Sequence, residues 1–327
     1  MFDSIYSEQL SQYYGLRRET LSESAEKHEL CYLRRFDSYV SERLDSPGHI
    51  TEDFINEWVG SLSGKSSSVE NKIIVIRQFL EFLKHTGESV AMPSIPRVHD
   101  DYVPYIFSDT ELNCIFESAD NIVQKDPKAD PYLVIEFLVI LRLLYSCGLR
   151  IGETVKISMN DVDLDGGILR LIDTKGNKQR LVPMSAPMTD ILYKYCLAMN
   201  LIGRNNIWLF PSSKNKGHIS DRSVKHRFEY ILRNNGIQVC NRKKHERGPC
   251  LHCMRHVFAF KSFAKAEREG RHFDDAVPFL SVYLGHAGIN ETAKYLKFSN
   301  ELFPESIDSF GRFMSDLLPE VKFENTQ

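Results

Sequence analysis

The chain has 327 residues, 42% of them hydrophobic and 26% charged, with a formal net charge of −3. This length favours two domains, and this composition is typical of a soluble globular protein. No run of about 18 or more apolar residues predicts a transmembrane helix, and the start of the chain predicts no secretory signal. The seven cysteines, an odd number, indicate reduced thiols and a cytoplasmic protein rather than a disulfide framework.

The weakly acidic mean charge argues against a uniformly basic nucleic-acid binder, but it hides a basic segment. Between Lys214 and Arg247, ten Lys and Arg outnumber three Asp and Glu, which gives a local net charge of +7. Such a segment is either a solvated face or a surface that meets phosphates, and charge alone does not separate the two. Its candidate DNA contacts are Lys225, Arg227, Lys243 and Lys244.

Residues 1–92 predict a small helical bundle. Apolar periodicity predicts one helix from Glu19 to Leu44 and a second, capped by Thr51, from Glu52 to Leu62. The capping-box pattern Ser67-Ser68-Val69-Glu70 predicts the start of a third helix, which Gly87 ends. The side of this helix opposite its apolar residues carries three candidate phosphate contacts: Lys72, Arg77 and Lys84.

Two prolines within Met92-Pro93-Ser94-Ile95-Pro96 predict an extended linker, which we place at residues 93–104. Residues 105–327 then predict a mainly helical domain that opens on a capping box at Ser108. A largely apolar helix from Tyr132 to Ser146, ended by Gly148, should lie at its centre. A short helix, Ile151 to Ile157, follows directly.

A small antiparallel sheet is predicted next, because two strands flank the turn Lys175-Gly176-Asn177. The first strand runs from Gly167 to Ile172 and the second from Lys178 to Pro183. Helices should follow at residues 186–199, 221–234, around 252, at 273–284 and around 295. The final amphipathic segment, residues 306–318, could dock on a neighbouring protein or pack on its own domain.

The stretch after Leu251 carries side chains that suit a phosphate. His252 and Arg255, three apart on one helix face, can reach the same group. His286 follows in a turn marked by Gly285, and Tyr295 comes nine residues later. Cations suit the non-bridging oxygens of a phosphate, and a phenol can attack its phosphorus. Singly, each of these residues is more typical of packing or of a solvated surface, so the ordered set carries the inference.

Five motifs occur in order: Gly148-Leu149-Arg150-Ile151-Gly152-Glu153, Lys175-Gly176-Asn177-Lys178, His252-Cys253-Met254-Arg255, Leu284-Gly285-His286 and Tyr295. On these residues the sequence resembles the tyrosine recombinases, also called the phage integrase family, close to their Xer-like and mobile-element branches. The resemblance to the catalytic domain of the family covers about residues 105–300. The N-terminal helices resemble the core-binding domain of the family only in length and pattern. It implies a fold that is mainly α with a small antiparallel β-sheet. It also implies a two-domain DNA clamp, made of a helical core-binding domain and a catalytic domain.

The resemblance assigns roles at the scissile phosphate. Arg150 and Arg255 would grip its non-bridging oxygens as planar forks. His252 would donate to the same phosphate or act as an acid or base, and His286 would give a further hydrogen bond. Glu153 would orient the site.

The remaining two roles concern the covalent step. Tyr295 would attack phosphorus and form a 3′-phosphotyrosine, and Lys175 would protonate the departing 5′-oxygen. Lys178 lies three residues further on and is the alternative to Lys175.

The implied activity is DNA cutting and rejoining in recombination, integration or transposition, without metal or ATP. The implied partner is double-stranded DNA, bound by a homo- or hetero-tetramer of recombinase protomers with no membrane involved. Two alternatives remain open: a catalytically silent DNA-binding protein of the same fold, and a type IB topoisomerase-like enzyme.

A patch rich in Cys and His surrounds the predicted catalytic helix: Cys240, His245, Cys250, His252 and Cys253. A zinc site is conceivable there, but only one C-x2-C pair is present and His252 already has a catalytic role, so we predict no metal. Two other interpretations are that the cysteines lie there by chance and that Cys253 responds to redox conditions.

Overall fold

A computed structural model of the chain describes residues 2–46, 50–96, 104–121, 130–172, 179–214, 217–237, 248–271, 273–286, 288–289 and 291–292. The chain divides into two compact units, Met1–Asp101 (unit 1) and Tyr102–Gln327 (unit 2), each with its own hydrophobic core. This division falls inside the predicted linker, residues 93–104, while the exact domain limits stay a prediction. Among the described helices, none is long and apolar enough to cross a lipid bilayer.

The described part of unit 1 is helical: α1 (Ser7–Arg18), α2 (Glu23–Ser41), α3 (Glu52–Ser61) and α4 (Ser66–His85). The sequence analysis did not predict α1, and α2 begins later than expected, where the Ser22 hydroxyl accepts a hydrogen bond from the Ala25 N–H. Thr51 caps α3 as predicted, by accepting a hydrogen bond from the Phe54 N–H.

The capping box predicted at Ser67 is wrong. Lys65 occupies the N-cap position of α4 with an extended backbone, and its side chain caps nothing. Ser66, Ser67 and Ser68 already have helical backbone, so none of them can act as an N-cap, which requires extended dihedrals. The predicted buried face of α4 is nevertheless present, because Ile73, Ile76, Phe79, Leu80 and Leu83 are all buried.

The described helices of unit 2 are α5 (Asp109–Asp120), α6 (Leu133–Cys147), α7 (Ile151–Thr154), α8 (Ala186–Ala198), α9 (Asp221–Asn234), α10 (Cys253–Arg268) and α11 (Phe273–Leu284). The predicted capping box of α5 is confirmed, since Ser108 and Glu111 exchange backbone and side-chain hydrogen bonds. Helix α6 is buried nearly all round and contacts α8 and α10, as its apolar sequence predicted.

A three-stranded antiparallel sheet of order β1-β2-β3 lies between α7 and α8 in the chain. Its strands are β1 (Val162–Asp163), β2 (Ile168–Leu171) and β3 (Arg180–Pro183), and β1 was not predicted. The hairpin register pairs Leu169 with Val182 and Leu171 with Arg180. Leu169 and Leu171 are buried on one face, as the alternation of the sequence predicted. Together, the helices and this sheet confirm the predicted fold class, mainly α with a small antiparallel β-sheet.

Gly148 ends α6 with a left-handed backbone, φ +61°. A Cβ atom at this position would lie 2.4 Å from a ring carbon of Phe258 on α10, which no side chain can tolerate. Glycine therefore lets α6 end against α10 and lets the chain turn directly into α7. That turn places Arg150 beside the start of α10.

Candidate active site

Three separate parts of unit 2 bring the predicted site residues together. Arg150 is the N-cap of α7, and Glu153 lies on that helix. Arg255 lies in the first turn of α10, and His286 directly follows the turn that ends α11. Lys175 and Tyr295 lie outside the described residues, so their predicted roles stay predictions.

The carboxylate of Glu153 is the centre of this cluster. Its side chain is 5% exposed, and both of its oxygens accept hydrogen bonds from Arg180, at 2.6 Å from Nη2 and 3.2 Å from Nη1. The backbone N–H of Arg150 donates to Glu153 Oε1 at 2.7 Å. The guanidiniums of Arg150 and Arg255 also lie within 3.7 and 3.8 Å of the carboxylate. One buried anion therefore faces three guanidinium groups.

Carbonyl groups at two helix ends hold the guanidiniums of Arg255 and Arg150. Arg255 donates to the carbonyl oxygen of Gly148, just past α6, at 2.7 Å, and to that of Leu284, at the end of α11, at 2.6 Å. Arg150 donates to the carbonyl oxygen of Gly285 at 3.3 Å. The last carbonyls of a helix lack intrahelical partners and carry partial negative charge, so cations bind well there.

The exposure of these guanidiniums differs. The Arg255 side chain is 1% exposed and that of Arg150 is 23% exposed. Arg150 is therefore the guanidinium of this pair that an approaching anion meets first, while Arg255 joins α6, α10 and α11.

Arg180 was missed by the sequence analysis. It lies at the start of β3, two residues before Val182, and Val182 is fully buried. Because side chains alternate along a strand, Arg180 and Val182 share a face, and an inward-facing Arg was the available signal. A buried Arg requires an anionic partner, and Glu153 supplies it.

His286 is nearly buried, and its Nδ1 lies 2.6 Å from the hydroxyl oxygen of Thr292, which is itself buried. The pKa of the His286 imidazole is lowered from 6.5 to about 3, first by burial and then by the positive charges of Arg255, Arg150 and Arg180. His286 is therefore neutral at physiological pH in the DNA-free chain. Thr292 was not identified from the sequence.

His252 is exposed at the N-terminus of α10, and its ring centroid lies 4.7 Å from that of His256 in an edge-to-face arrangement. The positive charge of His252 is among the smaller causes of the lowered pKa of His286, and His252 precedes α10 by one residue, within one turn of Arg255. The described members of the predicted set thus gather at one place: Arg150, Glu153, His252, Arg255 and His286.

The DNA-contact candidates of unit 1 are only partly available at its surface. The Lys72 ammonium donates to the Ser63 carbonyl at 2.7 Å, and Arg77, half-buried, donates to the Pro93 carbonyl. Lys84 is exposed in the last turn of α4.

An exposed basic face on α2 was not identified from the sequence. Lys27, Arg34 and Arg35 are exposed there. They lie around a shallow depression that is also lined by Leu30, Cys31 and Ser38. Positions 27, 34 and 35 fall on one side of a helix, which is the periodic signal that could have revealed this face.

In unit 2, Lys225 is exposed and forms an ion pair with Asp221 at 2.6 Å, whereas Arg227 is half-buried. Lys243 and Lys244 lie outside the described residues. Within the part of the chain that is described, no group of three or more His, Cys, Asp and Glu is placed to hold a metal ion. Cys240 and His245 of the predicted Cys/His patch fall outside that part.

Comparison with known proteins agrees with this arrangement. The profile of the phage integrase family matches residues 116–301, more than half of the chain. Protein y4rE of Sinorhizobium fredii, provisionally described as an integrase/recombinase, is 29% identical over 275 residues, which cover 83% of this chain and 85% of that protein. The tyrosine recombinase XerC of Staphylococcus carnosus is 27% identical over 247 residues, covering 72% of this chain and 73% of that protein.

Among solved structures, the XerH site-specific recombinase bound to a palindromic difH substrate has the same fold. Its TM-score is 0.64 at 19% identity, and the match covers 88% of this chain and 80% of that one. A mainly helical fold that gathers guanidiniums and imidazoles at one place suits an enzyme of phosphoryl transfer. The chain belongs to the phage integrase family, the tyrosine recombinases, which confirms the family, the enzyme class and the recombinase function expected from its motifs.

Replacing Arg180 by Gln should destabilise the chain by about 2–4 kcal/mol, because it leaves a buried carboxylate without its bidentate partner. The measurement is the free energy of unfolding in urea. Arg170→Gln is the matched control: Arg170 is exposed on neighbouring β2, and its loss should change stability by less than about 0.5 kcal/mol. Equal losses in the two variants would contradict the role given to the Glu153–Arg180 pair.

His286 should make stability depend on pH. The folded chain holds the pKa of His286 at about 3, against 6.5 ordinarily, so the unfolded chain binds the proton first as pH falls. The stability contributed by neutral His286 is complete above about pH 6.5 and is lost progressively toward pH 3. Between pH 7 and 5, wild type should lose about 2 kcal/mol more than His286→Gln.

Urea unfolding at both pH values measures this difference. His28→Gln, which removes an exposed histidine of α2, is the control and should keep the wild-type pH dependence. A His286→Gln variant with the wild-type slope would show that His286 is not held neutral.

Proposed function

We propose that this recombinase cuts and rejoins double-stranded DNA through a 3′-phosphotyrosine, at the site formed by Arg150, Arg255, His252 and His286. The observation that carries the proposal is the convergence of three guanidiniums around the single carboxylate of Glu153, with the His286 imidazole in the field of the same guanidiniums. One carboxylate does not neutralise three guanidiniums, so the site keeps an excess of positive charge. That excess suits a phosphodiester, and suits its more highly charged transition state better still.

In this proposal Arg150 meets the scissile phosphate first, because its side chain is the more exposed of the pair. Arg255 is 1% exposed without DNA, so its guanidinium reaches the phosphate only when DNA entry opens the site. Planar guanidiniums can bind two phosphate oxygens in a fixed geometry, which an ammonium cannot do.

His286 acts as a neutral hydrogen-bond donor. Nδ1 and the Thr292 hydroxyl oxygen are 2.6 Å apart. We assign the hydroxyl as the donor in this contact, which leaves the proton of the neutral imidazole on Nε2 for the phosphate. Binding of the anionic phosphate counteracts the field of the surrounding arginines, so this proton is held more tightly in the complex than in the free chain.

The covalent step uses Tyr295, Lys175 and His252. The Tyr295 oxygen attacks phosphorus while its proton passes to His252, and the P–O5′ bond breaks as Lys175 protonates the departing oxygen. The phosphotyrosine conserves the energy of the phosphodiester, and fixed cations neutralise the developing charge. The proposed reaction therefore uses neither ATP nor a metal ion.

DNA binding outside the site is proposed for both units. In unit 1, the exposed cations of α2 and Lys84 of α4 suit the phosphate backbone. In unit 2, Lys225 and Arg227 of α9 belong to the same basic segment as Lys243 and Lys244. We propose residues 1–92 as the core-binding domain and residues 105–327 as the catalytic domain.

The assembly on DNA is proposed to be a tetramer of recombinase protomers, acting in the cytoplasm. Recombination joins two duplexes, and each exchange needs cleavage at four strands. The palindromic substrate of the XerH complex fits this symmetry, since a palindrome presents two equivalent half-sites.

The covalent adduct tests the proposed mechanism. Wild type should become linked to a nicked suicide substrate that carries the cognate site, and Tyr295→Phe should form no adduct while still binding the DNA. Tyr193→Phe, which changes an exposed tyrosine of α8, is the matched control and should form the adduct normally. The assay is denaturing gel electrophoresis with labelled DNA.

If Tyr295→Phe still formed the adduct, the nucleophile would be a residue other than Tyr295. If the wild-type chain formed no adduct with any DNA, the result would favour a catalytically silent DNA-binding protein of the same fold. Exchange between two duplexes, rather than relaxation of one supercoiled circle, separates a recombinase from a topoisomerase-like enzyme.

Lys175 and Lys178 can be distinguished by a change of leaving group. Lys175→Ala should slow cleavage of ordinary DNA by about 100-fold or more, since a general acid contributes about that much. A substrate with sulfur in place of the 5′-bridging oxygen needs no proton on departure, so it should restore the rate of Lys175→Ala. Lys178→Ala is the matched control and should cleave both substrates at the wild-type rate. If only Lys178→Ala cleaved ordinary DNA slowly and recovered on the sulfur substrate, Lys178 rather than Lys175 would be the general acid.

A further inference from the structure

Two thiols are in contact at the first turn of α10, beside the candidate active site. The Sγ atoms of Cys250 and Cys253 lie 3.6 Å apart. The proposed mechanism uses neither thiol. His252, which the mechanism does use, lies between them in the chain.

The turn holds the two cysteines near the geometry that a disulfide between them requires. The backbone N–H of Cys253 donates to the Cys250 carbonyl at 2.9 Å, and the backbone N–H of Cys250 donates to Cys253 Sγ at 3.4 Å. Residues three apart on a helical turn have Cβ atoms about 5–6 Å apart. A disulfide holds its Cβ atoms closer, about 3.5–4.5 Å apart, with a sulfur–sulfur bond of about 2.05 Å. Side-chain rotation and a small tightening of the turn can therefore join the two sulfur atoms.

The two thiols differ in accessibility. Cys250 is exposed, whereas Cys253 is 1% exposed. The contact with Cys250 and burial both raise the pKa of the Cys253 thiol. An external disulfide can therefore reach Cys250, and Cys253 can react only with a sulfur that Cys250 presents to it.

We propose that Cys250 and Cys253 form a reversible thiol–disulfide exchange site whose oxidation switches off the adjacent active site. The oxidant is a low-molecular-weight disulfide of the glutathione class. The Cys250 thiolate attacks one sulfur of that disulfide, its S–S bond breaks, and one thiolate leaves. Cys253 then loses its proton and attacks the Cys250 sulfur of the mixed disulfide, and the second thiolate leaves. Two protein thiols become one disulfide, one external disulfide becomes two thiols, and the protons pass to the leaving thiolates.

Formation of the disulfide should displace the turn that contains Cys250 and His252 rather than α10. Arg255 fixes the start of α10, because its guanidinium binds the carbonyls of Gly148 and Leu284. The motion that brings the two sulfur atoms together therefore falls on the turn that contains Cys250 and His252. Because a displacement of about 1 Å at a catalytic group can cost about 100-fold in rate, we expect His252 to be misplaced in the oxidised chain. This consequence rests on the proposed function, whereas formation of the disulfide does not.

The experiment measures both events on one sample of the full chain. Reduced protein is incubated with oxidised glutathione, unreacted thiols are alkylated, and peptide masses identify the Cys250–Cys253 disulfide. The same sample is assayed for the covalent adduct on the suicide substrate. We expect the disulfide to form and adduct formation to slow by about 10-fold or more, with recovery in dithiothreitol.

Cys250→Ser should form the adduct at the reduced wild-type rate and should not respond to the oxidant. Cys253→Ala also cannot form the disulfide, so its rate of adduct formation should not respond to the oxidant either. Cys31→Ser is the matched control, since Cys31 is exposed on α2, and it should respond as wild type does. Sensitivity to oxidant that survives in both Cys250→Ser and Cys253→Ala would overturn the proposal.

Three further outcomes are decisive. Peptide masses that show no disulfide, or only a stable glutathione adduct on Cys250, would overturn the inference even if the recombinase is active. A disulfide that leaves the adduct rate unchanged would overturn the switch. Reduced wild type that forms no adduct would instead count against the proposed function, and the peptide masses would still decide whether the exchange site exists.

Discussion

The buried carboxylate of Glu153 is the constraint on which the rest of the site depends. Two like charges about 4 Å apart near a protein surface repel by about 4 kcal/mol, so several guanidiniums cannot be brought together without a compensating anion. Glu153 supplies that anion from α7, while Arg180 comes from β3 and Arg255 from α10. The same carboxylate therefore joins the sheet, the short helix and the helix that carries Arg255. Carbonyls at the ends of α6 and α11 complete the arrangement.

The carboxylate of Glu153 compensates the positive charge of the guanidiniums only in part. The charge that remains suits the proposed reaction on a phosphodiester. Among the described residues, three guanidiniums against one carboxylate leave an excess of two positive charges, and His286 adds none because its pKa is lowered. A phosphodiester carries one negative charge and its five-coordinate transition state carries more. A preorganised excess of positive charge therefore stabilises the transition state more than the ground state, which is the requirement for catalysis.

Local features of the fold were predictable from the sequence, and long-range partners were not. The capping box at Ser108, the buried helix α6 and its left-handed glycine follow from short-range patterns. The motif around Arg150 and Arg255 indicated the site through its resemblance to a family. Arg180 was missed because its partner, Glu153, is distant in the chain, and only the folded hairpin reveals the pair. Thr292 was missed for the same reason, since a hydroxyl beside an imidazole has no sequence signature.

The start of α10 connects the chemistry to its possible control. Arg255 is held by the ends of two other helices, so the helix itself is a fixed element of the site. The turn before it contains His252 between two thiols in contact. The guanidinium of Arg255 and the imidazole of His252 therefore lie within one turn of each other.

The central claim is that these groups, distant in the chain, converge on a single phosphorus atom. A crystal structure of the chain on its DNA site, with vanadate in place of the scissile phosphate, tests it most directly. The account predicts vanadate oxygens within about 3.2 Å of nitrogens of Arg150, Arg255 and His286. It also predicts the Tyr295 oxygen bonded to vanadium, from the same subunit or from its partner. A vanadate held by other side chains, with Tyr295 remote in both subunits, would contradict the account.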